Sequence, residues 1–421
     1  MNVTHEDVKV GQDDDGVYFK IQFAPNFVDK VYLDEFFEEA IAEEIPLDVT
    51  VQEHNKVRKR PKAFYEECSE EERNRVRQEL DLRPRYSPVR DDLNSYKYLE
   101  SLYNSMERPL SFRASSIEEH KQWSVRLIEK LKKLIGYDFK DVPLEIEKGP
   151  ETEFEDLLLT KYYFKTAPHL KTVGILARPK NISEPKPGII AVHGHNKGKI
   201  NTIGMEMSSS NSYYGIDLAR RGYVTLSLDQ WGWGETRGHN RKVEAAPEKA
   251  FALSALLLGK TAIAIRCWNV SRSIDFLKRF DFVSDKFGII GQSGGGTTAA
   301  FSSVLDLRLK ATVISGYFCT WFDSIFAMNH CPCNFVPNMM KYAELPDVIA
   351  TRAPKPTFIV AGDSDPIFPR YGVKKAYRTL EKAFSLYEKT DNLGIDIIPD
   401  TGHVFRGKHA YPWLDHVLLG K

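Results

Sequence analysis

The chain has 421 residues, 42% of them hydrophobic, which is enough for one large domain with an appended region. Its 58 lysines and arginines balance 58 aspartates and glutamates, so no overall field attracts nucleic acid. No apolar segment approaches the roughly 20 residues that span a bilayer, and residues 1–7 lack the pattern of a secretory signal. Because five cysteines also disfavour a disulfide framework, we expect a cytoplasmic protein with neither nucleic-acid nor membrane partners.

The N-terminal region, residues 1–145, is predicted to be mainly helical. Residues 30–45 carry apolar side chains at roughly helical spacing, and Ser69 is a candidate helix cap. Ser116 opens a capping box ahead of another apolar stripe. The basic run 56–62 is followed at once by glutamates, so we interpret it as part of a solvated surface rather than a nucleic-acid site. This region is a candidate for forming a homodimer or for covering an active site.

Strand and helix patterns alternate in the remainder of the chain, residues 146–421. Such alternation predicts the α/β class, with a mostly parallel eight-stranded sheet and helices on both faces. Ligands then bind beyond the carboxyl ends of the strands. The eight predicted strands cover residues 162–165, 172–178, 188–193, 224–229, 287–292, 311–315, 357–361 and 395–398.

A G-x-S-x-G pattern follows the fifth of these strands, at Gly291-Gln292-Ser293-Gly294-Gly295. This pattern is typical of a nucleophile elbow, a sharp strand-to-helix turn that exposes a serine hydroxyl. The glycines on either side remove side chains that would collide in so tight a turn. We therefore predict Ser293 as a nucleophile, with the N–H of Gly294 directed at a developing oxyanion.

An acid and a base follow the serine in the order that a catalytic triad requires. Asp363 and Asp365 come directly after an apolar strand, in a turn stiffened by two prolines. We predict Asp365 as the acid because it lies past the strand end, and Asp363 remains the alternative. His403 follows the last predicted strand on a glycine turn and is the predicted base.

One long connection is a candidate for shaping the substrate-binding site. The connection 317–354 is long and rich in aromatic residues, which predicts a lid-like insertion or, alternatively, side chains that complete the core. Within it lie Cys331 and Cys333. Their C-x-C spacing has no second pair of ligands nearby in the sequence, so we predict a structured loop and no metal site.

From about residue 144 onward the sequence resembles α/β-hydrolases, in particular the esterase branch that groups acetyl xylan esterase-like and dienelactone hydrolase-like proteins. The motifs that carry the resemblance are His193-Gly194-His195-Asn196, Asp229-Gln230-Trp231-Gly232-Trp233-Gly234-Glu235, Gly291-Gln292-Ser293-Gly294-Gly295-Gly296, His330-Cys331-Pro332-Cys333-Asn334, Asp365-Pro366-Ile367-Phe368-Pro369 and Gly402-His403. The resemblance implies an α/β-hydrolase fold with a Ser-Asp-His mechanism. It also implies a second oxyanion N–H, from His195, and no metal or organic cofactor.

Taken together, these patterns predict a serine hydrolase that cleaves a small carboxylic ester through an acyl-enzyme intermediate. One alternative is a hydrolase that cleaves a carbon–carbon bond in a diketone or polyketide-like substrate. A second is a binding protein that keeps the fold without catalysis.

Overall fold

The computed structural model describes residues 11–13, 16–18, 69–80, 93–207, 210–238 and 247–421. The chain divides into two compact units. The first comprises Met1–Ser105 with His239–Ala246, and the second comprises Met106–Gly238 with Pro247–Lys421.

The described part of the first unit contains a short antiparallel hairpin and two helices. The hairpin pairs β1 (Gly11–Asp13) with β2 (Gly16–Tyr18), and the helices are α1 (Glu70–Glu79) and α2 (Ser95–Ser105). Ser69 caps α1 as predicted, because its hydroxyl accepts a hydrogen bond from the N–H of Glu72 at 3.1 Å. The helix predicted within 30–45 and the basic run 56–62 lie outside the described residues.

A nine-stranded sheet organises the second unit. Spatially the strands follow the order β11-β10-β9-β8-β6-β7-β5-β4-β3, and the pairings from β11 to β7 are parallel. The pairings from β7 to β3 are antiparallel. The strands are β3 (Glu147–Phe154), β4 (Leu157–Ala167), β5 (Leu170–Pro179), β6 (Lys186–Val192), β7 (Val224–Leu228), β8 (Val283–Gln292), β9 (Leu309–Ser315), β10 (Thr357–Gly362) and β11 (Leu393–Ile398).

The predicted count of eight strands is therefore one short. The missing strand is β3, which forms one edge of the sheet and exposes most of its side chains. Its sequence, EKGPETEF, carries no apolar alternation. An edge strand of this kind is held by main-chain pairing with β4 rather than by a buried face, so periodicity does not reveal it.

Helices cover both faces of the sheet, as predicted. On β6, Ile190 packs in a cluster with Val270 and Ile274, whereas its neighbour Ile189 packs with Leu218 and residues near the carboxyl terminus. Successive strand residues point to opposite faces, so both faces are apolar. The helices are α3 (Ile117–Ile135), α4 (Lys199–Thr202), α5 (Tyr214–Arg220), α6 (Pro247–Leu257), α7 (Ala262–Leu277), α8 (Gly294–Leu305), α9 (Leu345–Ala350), α10 (Arg370–Ser385) and α11 (Ala410–Leu414).

Helix α3 lies within the second unit, although the sequence assigns it to the region 1–145. Leu127, Leu131 and Ile135 are fully buried in the same core cluster as α7 and α8. Ser116 caps the helix by accepting from the N–H of Glu119 at 3.2 Å. The contact-based boundary therefore falls near residue 106 rather than 145.

The aromatic-rich connection 317–354 contributes to the core. Tyr317, Phe318 and Trp321 are buried among α8 and α10, while Phe335 is 41% exposed. Part of the connection also lines the cavity beside the serine, and its role as a lid stays a prediction.

No single helix in the described residues is long and apolar enough to cross a membrane. The bent pair Glu248–Leu257 and Ala262–Leu277 passes that test by length and composition only.

Candidate active site

Ser293 occupies the turn between β8 and α8. Its backbone has φ 58° and ψ −120°, a conformation that residues other than glycine seldom adopt. Its N–H donates to the carbonyl of Ser315 at 2.9 Å, and its carbonyl accepts from Thr297 N–H at 2.9 Å. A strained backbone that is held by hydrogen bonds on both sides is typical of a functional position.

The neighbouring glycines permit close approach of the backbone. A Cβ atom on Gly291 would lie 2.1 Å from the carbonyl oxygen of Gly295. A Cβ on Gly295 would lie 2.0 Å from the carbonyl oxygen of Val192, at the end of β6. Gly291 thus lets the serine turn close on itself, and Gly295 lets that turn pack directly against the loop that begins at His193.

Asp365 and His403 are brought together from the ends of two adjacent parallel strands, β10 and β11. His403 Nδ1 lies 2.7 Å from Asp365 Oδ2, and the aspartate side chain is only 1% exposed. Asp365 Oδ1 accepts from the N–H groups of Ile367 and Phe368 at 3.0 and 3.1 Å. The carboxylate is thereby fixed, and it holds the proton of His403 on Nδ1.

The other ring nitrogen of His403 is directed away from the carboxylate. Among the described residues, no partner hydrogen-bonds to this buried Nε2 atom. The ring stacks on Phe368, with centroids 5.7 Å apart and planes 20° apart. A histidine oriented in this way has a free lone pair for accepting a proton.

Asp363, the alternative acid, faces elsewhere. Its carboxylate accepts from the hydroxyl of Ser364 at 2.9 Å and from the N–H of Thr401 at 3.3 Å. The Ser364 hydrogen bond, foremost, keeps the pKa of Asp363 below its ordinary value. The hydrogen bond to His403 belongs to Asp365 instead, which supports the preferred assignment.

A cavity of about 170 Å³ opens beside the serine. It is lined by Ser293, Gly294, His195, Asn329, His330, Cys331, Asn334, Ile367 and Phe368. Both residues predicted to supply oxyanion N–H groups therefore lie at the same cavity as the nucleophile. Gly294 is also the first residue of α8, and the N–H groups of a helix's first turn have no partner within the helix. The helix dipole adds positive potential there.

The loop after β6 is braced by His193. This side chain is fully buried, its Nε2 accepts from Gln230 N–H at 2.9 Å, and its Nδ1 lies 2.7 Å from the carbonyl of Gly194. Burial lowers the pKa of His193 to about 4, so the ring is neutral near pH 7. His193 therefore acts as a structural support for the turn that carries His195.

Asp229 and Glu235 also support a loop. Asp229 accepts from the N–H of Lys199 at 2.8 Å and from its ammonium at 2.6 Å. The same ammonium reaches Glu235 at 2.5 Å. Because Lys199 and Asp229 are buried, this ion pair orders the backbone around both residues.

The side chain of His195 belongs to a group that sequence reasoning missed. Its Nε2 lies 3.1 Å from Glu248 Oε1 and 3.2 Å from Cys333 Sγ, and the thiol of Cys331 donates to the same glutamate. Burial opposes protonation of His195, yet its hydrogen bonds to Cys333 and Glu248 raise its pKa to about 9. Burial likewise opposes ionisation of Glu248, but the contact with His195 holds its pKa at about 2.

His330 also lines the cavity, and its side chain is neutral near pH 7. Its Nε2 lies 3.2 Å from the hydroxyl of Ser324, and its ring lies against Phe368. Burial, together with the positive charges that His195 and His403 can carry, lowers its pKa to about 4. Asn334 joins the same wall to α8, since its Oδ1 accepts from the hydroxyl of Thr297 at 2.7 Å.

Comparison with known proteins gives a family for most of the chain. The model of the Abhydrolase family matches residues 93–389. A protein of Bacillus subtilis (strain 168), named "Putative hydrolase YtaP", is 28% identical over 253 residues, which are 58% of this chain and 80% of that protein.

Solved structures share the fold. A structure described as "a putative acetyl xylan esterase" from Bacteroides fragilis NCTC 9343 has a TM-score of 0.62 at 17% identity, covering 79% of this chain and 92% of that chain. A glucuronoyl esterase from Solibacter usitatus has a TM-score of 0.58 at 13% identity, covering 74% and 97%. These likenesses confirm the predicted α/β-hydrolase fold.

Proposed function

The chain belongs to the Abhydrolase family, and from that premise we propose that it is a serine hydrolase of carboxylic esters. The observation that carries the proposal is the pairing of His403 with Asp365 at the same edge of the sheet as Ser293. The strained serine turn and the cavity lined by Ser293 and Gly294 support it. The names of the similar proteins, a hydrolase and two esterases, favour ester substrates over carbon–carbon cleavage.

In the proposed reaction, Ser293 Oγ attacks the ester carbonyl carbon while His403 Nε2 takes the hydroxyl proton. Asp365 stabilises the imidazolium that forms. The N–H groups of Gly294 and His195 donate to the oxyanion, and each such donor is typically worth about 10²–10³ in rate. Collapse of the tetrahedral intermediate breaks the ester C–O bond, and the alcohol leaves with the proton from His403.

The second half of the reaction repeats these roles with water. His403 removes a proton from water, the hydroxide attacks the acyl carbon, and the acid leaves as Ser293 regains its proton. The cavity is small and partly polar, with two histidines and two asparagines in its wall. We therefore expect short acyl groups to be preferred over long ones.

The test is release of p-nitrophenol from acetate, butyrate and octanoate esters by wild type and Ser293→Ala. We expect turnover by wild type that declines with chain length, and loss of turnover in the variant. A matched control is Ser303→Ala, because this buried serine lies on α8 and donates to the Ala300 carbonyl at 2.7 Å, outside the cavity lining.

A fluorophosphonate probe tests the nucleophile without a chosen substrate. We expect the wild-type adduct on the peptide that contains Ser293 and none on that peptide in Ser293→Ala. Undiminished turnover in Ser293→Ala would contradict the assignment. Folded wild type that neither takes the probe nor cleaves esters, but cleaves a β-diketone, would replace the ester proposal with carbon–carbon hydrolysis.

The cytoplasmic location and a homodimer through the N-terminal region stay predictions. An oligomer would be detected by comparing the mass of the full chain in solution with that of one subunit.

A further inference from the structure

Four side chains from three separate parts of the chain meet beside the cavity, and we call them the thiol cluster: His195, Glu248, Cys331 and Cys333. His195 lies in the loop after β6, Glu248 lies in the first turn of α6, and the cysteines flank Pro332. One potential ligand atom from each residue lies within 4.8 Å of all the others. The proposed ester hydrolysis assigns no role to these four side chains.

The atoms of the thiol cluster are those that zinc prefers. The cluster offers two sulfurs, one imidazole nitrogen and one carboxylate oxygen, and zinc binds each of these types. The cluster lies in the interior of the protein, since Glu248 is 5% exposed and Cys333 is 1% exposed. A buried carboxylate needs a compensating positive charge, which His195 and Arg266 supply to Glu248 in the absence of the ion and which the ion itself would supply to all four ligands.

Spacing within the cluster agrees with a single small ion. Zinc–nitrogen bonds of about 2.0 Å and zinc–sulfur bonds of about 2.3 Å imply edges of roughly 3.3–3.8 Å in a tetrahedron. The nitrogen of His195 lies 3.1 Å from the glutamate oxygen and 3.2 Å from the sulfur of Cys333. Cys331 lies closer to the same glutamate oxygen than such an edge allows, so the thiol and the carboxylate would have to move apart to admit the ion.

We propose that the thiol cluster is a structural zinc site with four protein ligands. The thiols and the imidazole release their protons as the ion binds, so the ligands are two thiolates, a carboxylate and a neutral ring. These carry three negative charges against two on zinc. Arg266 offsets part of the excess, because its guanidinium lies 3.9 Å from Glu248 Oε1 and is 2% exposed.

The proposed ion would hold the predicted oxyanion loop in place. With all four positions occupied by protein, it leaves none open for water or substrate, which distinguishes a structural zinc from a catalytic one. It would join His195 to the turn carrying Cys331, and both residues line the cavity. The ring of His195 also lies against Gly294, since a Cβ atom added to this glycine would lie 2.8 Å from the ring's Cε1. The inference goes beyond the proposed function and does not depend on it.

Metal content tests the site without any substrate. The full chain, purified under reducing conditions without chelator, is expected to contain about one zinc ion per chain by elemental analysis. We expect Cys331→Ser and Cys333→Ser to lose most of the metal, and Glu248→Gln to lower its affinity. Cys267→Ala is the matched control and should keep the ion, because Cys267 is a buried free cysteine outside the cluster.

Cobalt substitution adds a spectroscopic measurement. Cobalt bound to thiolates gives a charge-transfer absorbance in the near ultraviolet, expected in wild type and in Cys267→Ala but absent in Cys333→Ser. Circular dichroism checks that each variant is folded. If Cys333→Ser does not fold, zinc stoichiometry and cobalt absorbance of wild type and of Glu248→Gln still decide the question.

Two results would overturn the proposal. One is folded wild type with reduced thiols that contains almost no zinc and gives no cobalt absorbance, which would leave a metal-free hydrogen-bonded cluster. The other is a disulfide between Cys331 and Cys333, detected by mass spectrometry in protein kept under reducing conditions. Neither result bears on ester hydrolysis, and absence of esterase activity would leave the zinc measurement unaffected.

Discussion

Replacing Asp365 by asparagine tests the proposed triad at its most buried point. The substitution keeps the shape of the side chain, and its oxygen can still accept from the N–H groups of Ile367 and Phe368. The amide NH₂ group then occupies the position of Oδ2, 2.7 Å from His403 Nδ1. Two donors cannot face each other, so Nδ1 must become an acceptor and the ring proton moves to Nε2.

The size of the effect follows from this change of tautomer. A protonated Nε2 has no lone pair for the proton of Ser293, so the general base is lost while the binding site persists. Disabling the aspartate in a triad of this kind typically lowers kcat by about 10³–10⁴, equivalent to roughly 4–5.5 kcal/mol of transition-state stabilisation. Thermal stability should change little, because the backbone hydrogen bonds to Oδ1 remain.

The assay is kcat and KM on p-nitrophenyl acetate for wild type, Asp365→Asn and Asp363→Asn, with a thermal melt of each. Asp363→Asn is a control from the same turn. Its activity should stay within about twofold of wild type, which matches the change of about ±0.5 kcal/mol in free energy that is usual for a surface substitution. A large loss in Asp363→Asn with near-normal activity in Asp365→Asn would refute the reasoning and make Asp363 the acid.

Three further predictions concern backbone packing, pH and the core. Gly295→Ala places Cβ 2.0 Å from the Val192 carbonyl, so the serine turn must shift; we expect activity to fall about 10²-fold and the melting temperature to drop. Gly238→Ala, whose Cβ would meet no described residue within 4 Å, should change neither, and equal behaviour of the two variants would argue against the elbow geometry. Burial lowers the pKa of His120, so this imidazole binds a proton at higher pH in the unfolded chain than in the folded one, and the free energy of unfolding falls as pH drops below 6.5. In His120→Gln, urea unfolding at pH 7 and pH 5 should show a smaller loss of stability between the two pH values. An unchanged loss would mean that other groups cause it. Leu131→Ala, in a fully buried position of α3, should cost about 2–5 kcal/mol by urea unfolding, and a loss below about 1 kcal/mol would mean that α3 is not part of the core.

The fold class and the candidate residues of the site follow from local sequence patterns. Alternating apolar strands and amphipathic helices specify a sheet covered on both faces, because each element must bury its apolar side. The serine turn is equally local, since G-x-S-x-G after a strand is required by steric contacts among neighbouring residues. The acid and the base of the proposed triad could be predicted because the carboxyl ends of parallel strands meet at one edge of a sheet.

Other features depended on contacts between distant segments. Edge strand β3 is stabilised by pairing with β4 and carries no periodic pattern. Only the tertiary structure distinguishes Asp365 from Asp363 by geometry, because it places the Asp365 carboxylate within hydrogen-bond distance of His403. The thiol cluster could not be predicted from the sequence, because Cys333 lies 138 positions from His195 and Glu248 lies 83 positions from Cys331. Local steric and hydrophobic rules act over a few residues, whereas a site assembled from remote side chains exists only once the sheet and its loops have folded.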